Sequence, residues 1–253
     1  MSTESIARKL AVVALGCAAI AAPAAAAGDQ PPALAAKCGA SSVVTQPFWL
    51  QAEDGFRLYA VEAGEGATGV LLAHESPADL CGWLPYVETL TRAGIRVLAF
   101  DFRGFGDSRP APDAAPLAYD RDLRAAVGRL RADGARKVFL IGASFGGAAA
   151  LAYAPELDVD GVVSLSGEAH LAGAKLNGLA QVARLRRPLL IVGSRHDRYL
   201  PVSDALALLR RAGTTDKRTA LYPGGFHGWD IVEDAPYAAR ARALVLRWIR
   251  ARS

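Results

Sequence analysis

The chain has 253 residues, a formal net charge of +4, and 52% hydrophobic against 21% charged side chains. Those proportions are those of a soluble globular protein with enough chain to bury a sizeable core. The mild charge argues against a nucleic-acid partner, because Arg121, Arg124, Arg129 and Arg131 are interleaved with Asp120, Asp122 and Asp133 as on a solvated helix face. In chain order, Arg8 and Lys9, an apolar run over 10–20 and the small residues 24–27 form the three parts of a secretory signal spanning 1–27. The apolar part is too short for a stable span, and no later stretch is long and apolar enough for one. Leu15-Gly16 before Cys17 leaves a lipoprotein signal, with an acyl anchor on Cys17, as the alternative.

Residues 28–42 then read as an N-terminal arm and 43–253 as a single domain. Segments 43–50 and 57–62, joined at Glu53-Asp54-Gly55, predict an antiparallel hairpin. Thereafter strands and helices alternate. Strands are expected over 69–73, 95–100, 138–141, 161–165, 188–192 and 218–222, and helices over 83–93, 119–132, 203–211 and 235–250. This alternation predicts an α/β fold, a mostly parallel sheet with helices on both faces.

The centre of the pattern is K-V-F-L-I-G-A-S-F-G-G-A-A-A-L-A-Y-A over 137–154. An apolar strand passes into a small-residue helix within a few residues around Ser144, and a turn that sharp presses the residues two before and two after against the residue at its apex. Gly142 and Gly146 occupy those places, so the Ser144 hydroxyl is held out at the end of the sheet. The motif in this strand–turn–helix setting resembles the α/β-hydrolase family of serine hydrolases, and the resemblance runs over nearly the whole domain. It implies the α/β-hydrolase fold. Only residues 168–187 lie where larger members insert a cap, which predicts a rather open pocket.

The resemblance also implies the remaining chemistry. Asp197, in the loop beyond the 188–192 strand, stands at the family's acid position, with Glu168 and Asp204 as competing carboxylates. His227, after the last strand, stands at the position of the base, and the order Ser144, Asp197, His227 is the family's. One oxyanion donor is expected from the backbone N–H of Phe145. The second comes from A-H-E-S-P, where the match points to Ser76, but Glu75 replaces the usual glycine and leaves Ser76 and Glu75 both open. His74 is expected to support that loop, and the Gly-rich turn at 101–108 to serve backbone geometry. Trp83, Tyr86 and Trp229 are candidates for lining an acyl or aromatic pocket.

The expected activity is hydrolysis of small or exposed esters by a secreted or cell-envelope carboxylesterase. A thioesterase or peptidase with the same triad, or a non-catalytic binding protein on the fold, is the alternative. No cofactor is expected, and no His, Cys and acidic cluster has metal-ligand spacing. The serine nucleophile argues against epoxide hydrolase chemistry, which in this fold uses an aspartate. Cys38 and Cys81 are an even pair outside the signal, so an exported protein would join them, with two buried free thiols as the other reading.

Overall fold

The computed structural model describes residues 30–42, 45–109 and 117–253. The expected signal segment 1–27 with Cys17, and residues 43–44 of the first expected strand, lie outside the described residues. Pro31–Ser253 makes up one compact unit.

The unit opens with a short helix that the sequence pattern did not predict, α1 (Leu34–Cys38). Then come β1 (Pro47–Gln51), β2 (Arg57–Ala63), β3 (Thr68–Ala73), α2 (Leu84–Arg92), β4 (Arg96–Phe100), α3 (Tyr119–Ala132), β5 (Lys137–Ala143) and α4 (Phe145–Tyr153). The chain continues through β6 (Gly161–Leu165), α5 (Gly178–Gln181), β7 (Leu189–Ser194), α6 (Val202–Arg211), β8 (Lys217–Tyr222) and α7 (Ala238–Arg250). The eight strands form one sheet in the order β1-β2-β4-β3-β5-β6-β7-β8. β1 and β2 form the antiparallel hairpin, β2 runs antiparallel to β4, and every later pair is parallel. This is the α/β-hydrolase fold.

Its core lies on both faces of the sheet. Along β3, Val70 and Leu72 join the apolar layer beneath α2 and α7, while Leu71 and Ala73 join the layer beneath α3, α4 and α6. Period-two alternation with both faces covered is why these strands read as continuous apolar runs.

Several boundaries differ from the expected ones, and three of these differences lie beside a proline. β1 begins at Pro47, which lacks an N–H and is tolerated there because β1 is an edge strand. The helix expected over 83–93 is a 3-10 turn, Leu80–Trp83, followed by α2 with Pro85 in its first turn, where no donor is needed. The closing helix begins at Ala238 and not at 235, since Pro236 disfavours helical geometry at Ala235.

Candidate active site

Ser144 joins β5 directly to α4 with φ 46° and ψ −113°, a conformation non-glycine residues rarely adopt. Such backbone costs about 1–3 kcal/mol and persists only when its surroundings enforce it. The two glycines supply the room. A Cβ on Gly142 would fall 2.1 Å from the Gly146 carbonyl oxygen, and one on Gly146 would fall 2.2 Å from that of Ala73.

Asp197 lies in the loop after β7 and His227 in the loop after β8, so adjacent parallel strands deliver them to the same end of the sheet as Ser144. His227 Nε2 is 2.7 Å from Ser144 Oγ, and its Nδ1 is 3.0 Å from each carboxylate oxygen of Asp197. Asp197 Oδ1 also accepts the backbone N–H of Tyr199 at 2.9 Å. Burial would raise the pKa of Asp197, but the hydrogen bonds from His227 and Tyr199 outweigh it and hold the carboxyl below its ordinary range. For His227 burial favours the neutral ring, yet Asp197, with further help from the charges of Glu75 and Glu168, raises its pKa above the ordinary value. Neither competing acid takes the place of Asp197. Asp204 sits in the first turn of α6, and Glu168 makes no hydrogen bond to His227.

His74 is fully buried at the end of β3. Its Nε2 accepts the Phe102 N–H at 3.0 Å, which leaves Nδ1 to carry the proton and donate to the Glu75 carbonyl at 2.7 Å. Burial lowers its pKa to about 4, so the ring stays neutral. The Glu75 side chain turns away to accept the N–H of Trp229 at 3.2 Å, and a Cβ on Gly228 would fall 1.7 Å from its Oε2. The Gly-rich turn is held by Asp101, whose carboxylate accepts the N–H groups of Leu80 and Asp107 at 2.9 and 2.8 Å.

A cavity of about 500 Å³ opens over the serine, lined by Ser76, Ser144, Phe145, Glu168 and His227 together with Phe105, Tyr119, Leu171, Gly173, Ala174 and Tyr199. Trp83 and Tyr86, expected to line it, do not. Both are fully buried in the apolar layer under α2 and α7, where large rings are worth most as core. Trp229 also lies outside the lining, packed edge-on against Trp83 at 5.9 Å. The aromatic walls come instead from Phe105, Tyr119 and Phe145, with Tyr199 against the His227 ring at 4.7 Å. Only Tyr199 carried a usable signal, a large side chain two residues beyond the acid. Phe105 was hidden in a turn read as purely structural.

The arm reaches this region through a Cys38–Cys81 disulfide and through Lys37, whose Nζ lies 3.0, 2.9 and 3.0 Å from carboxylate oxygens of Asp79, Asp101 and Asp107. Among the described residues no helix is long and apolar enough to cross a membrane.

The model of the alpha/beta hydrolase family matches residues 70–251. Among curated proteins, the uncharacterized protein YfhR of Escherichia coli O157:H7 is 27% identical over 177 residues, 62% of each chain. Epoxide hydrolase A of Mycobacterium tuberculosis is 40% identical over 116 residues, 45% of this chain and 35% of that protein. The chain thus spans less than two thirds of these relatives. Among solved structures, an esterase of Pyrococcus furiosus superposes with a TM-score of 0.70 at 20% identity, covering 82% of this chain and 92% of that one. The esterase domain of a Rhodothermus marinus protein gives 0.66 at 24% identity, with 82% and 98% covered.

Proposed function

The chain belongs to the α/β-hydrolase family, and from that premise we propose that it is an exported serine hydrolase that cleaves small carboxylic esters through an acyl-enzyme on Ser144. The observation that carries this reading is the continuous chain Ser144 Oγ, His227 Nε2, His227 Nδ1, Asp197 at 2.7 and 3.0 Å, opening on a cavity. Asp197 accepts the Nδ1–H, so the Nε2 lone pair is free to take the serine proton as Oγ adds to the ester carbonyl. The imidazolium then returns that proton to the departing alkoxide. Water, deprotonated in the same way, releases the acid and regenerates Ser144.

The negative charge on the carbonyl oxygen needs two donors, each worth roughly 3–4 kcal/mol in the transition state. We assign them to the N–H groups of Phe145 and Ser76. For the second, the argument is the peptide plane: the Glu75 carbonyl points at His74 Nδ1, and in a trans peptide the following N–H points the opposite way. The Glu75 side chain, engaged by Trp229, does not compete for the position.

Epoxide hydrolysis in this fold uses an aspartate nucleophile, whereas this chain has Ser144. The segment between β6 and β7 holds only short turns and α5, and Leu171, Gly173 and Ala174 from it form one cavity wall, which favours short acyl chains. Export is supported by the Cys38–Cys81 bridge, since disulfides persist in oxidising compartments.

The test is a p-nitrophenyl ester series of rising acyl length together with a fluorophosphonate probe. Short esters should be turned over and the probe should label Ser144, with both signals absent from Ser144→Ala. Folded wild-type protein that neither labels nor turns over any ester or thioester would refute the proposal.

A further inference from the structure

Glu168 lines the cavity over Ser144 and is partly buried, yet no hydrogen bond or ion pair to it exists among the described residues. A carboxylate that gives up solvation without a partner is costly, and the cost is recovered only if a cation or donor arrives. No side chain of the cavity wall hydrogen-bonds to it. The lining holds no Lys or Arg; Lys175 and Arg198, next in sequence to Ala174 and Tyr199, are not part of it. Glu168 is close enough to the triad to interact with the charges of His227 and Asp197, and burial raises its own pKa.

The rest of the wall has matching chemistry. Phe105, Phe145 and Tyr119 form one aromatic surface, with ring centroids 5.3 and 4.9 Å apart in sequence from Phe105 through Phe145 to Tyr119. Tyr199, 56% exposed, supplies a ring on the His227 side. Aromatic faces attract cations through their quadrupole, most strongly alkylated ammonium groups that water solvates poorly. A carboxylate and four aromatic rings around one cavity, with no Lys or Arg in its lining, match the chemistry of a monocationic organic group.

We propose that Glu168 is a specificity-determining residue and that the substrates are esters carrying an alkylammonium group, with esters carrying a carboxylate or phosphate disfavoured. This rests on the reading of the site as an ester hydrolase. The oxyanion and the ammonium group would occupy different ends of the cavity, the first at Phe145 and Ser76, the second between Glu168 and the aromatic wall.

The experiment compares kcat/KM for acetylcholine and for 3,3-dimethylbutyl acetate, its uncharged carbon isostere, at about pH 8. Combining an ion pair that is partly exposed with cation–π contacts, wild type should prefer the cation by roughly five- to tenfold. The preference should reside in KM. In Glu168→Gln the ratio should fall toward one; because both substrates share the same triad, any change in His227 basicity cancels from it. A ratio near one in wild type, or one unchanged in Glu168→Gln, would overturn the proposal. A turnover-independent arm titrates tetramethylammonium into Ser144→Ala protein by NMR. Saturable shifts at cavity residues, lost in Ser144→Ala/Glu168→Gln, support the cation site even if no ester is hydrolysed, an outcome that would sink only the proposed activity. Ester turnover by wild type with no ammonium binding would sink the cation site alone.

Discussion

Replacing Lys37 by methionine tests whether the N-terminal arm is part of the site's framework. The Lys37 side chain is 6% exposed and Asp101 is fully buried, while Asp79 and Asp107 are 30% and 35% exposed. Solvent discounts the last two contacts, so the magnitude rests on Asp101. Breaking a buried pair by removing one partner costs about 3–5 kcal/mol. The N–H groups of Leu80 and Asp107 still solvate Asp101 in the variant, which places the loss near the lower end, about 3 kcal/mol. For a domain of this size that lowers Tm by roughly 6–12 °C. Burial already raises the Asp101 pKa, against the opposing effects of the Leu80 N–H and Lys37, and losing Lys37 raises it further. A carboxyl whose folded pKa lies above its unfolded value, about 3.9, binds more protons folded than unfolded, so the variant loses stability as pH rises through that interval. Urea denaturation of oxidised protein at about pH 5 and about pH 8 should therefore show the larger deficit at the higher pH. A deficit under about 1 kcal/mol at the higher pH, or one that grows on acidification, would refute the reasoning.

Two other outcomes follow from the geometry. His227 acts as a base only when neutral, and Asp197, Glu75 and Glu168 hold its pKa above the ordinary value of about 6.5, so kcat/KM should fall on acidification through a midpoint above that value; Glu75→Gln should move the midpoint down, and an unmoved or raised midpoint contradicts the electrostatic account. The Cys38–Cys81 bridge closes a separation of 43 residues, worth about 4 kcal/mol in the chain-entropy model; Cys38→Ser and Cys81→Ser should each lower Tm with the double variant no worse than either, and a strictly additive double variant would show that the two side chains contribute as separate packing groups.

How much of this could be read from the sequence depends on how local the cause is. β6 and β7 were legible because strands covered on both faces must be apolar at successive positions, and residues 161–165 and 189–192 are fully buried as that requires. Asp197 and His227 were picked out by the resemblance of their loops to the family's acid and base positions, and parallel neighbours ending on one edge bring those loops together. Trp83 and Tyr86 could not be placed the same way. Their separation of three residues puts them on one helical side, but whether that side meets the sheet or the cavity is decided by docking. Lys37 was still less visible. Its partners lie 42, 64 and 70 positions away in the chain, with no spacing rule to connect them. Glu75 was legible only as an anomaly. With no glycine at that place the loop conformation was open, and the resolution lies in a backbone N–H of Trp229 far along the chain.

The segment from His74 to Cys81 shows why those non-local contacts matter for chemistry. His74 ties it to the turn after β4 through Phe102, Glu75 ties it to the base loop through Trp229, and Asp79 and Cys81 tie it to the arm through Lys37 and Cys38. Three separate parts of the chain thus fix one short loop. An oxyanion donor is effective only if it is already aimed when the charge develops, since reorganising it then would add to the barrier. Ordering each loop residue costs roughly 1–2 kcal/mol of backbone entropy, and these anchors place that cost in folding and not in the reaction. In the proposed mechanism the arm would therefore act on catalysis without touching substrate. Loosening it should lower kcat through the proposed Ser76 donor while leaving the Ser144, His227 and Asp197 distances intact, which separates a framework effect from damage to the triad.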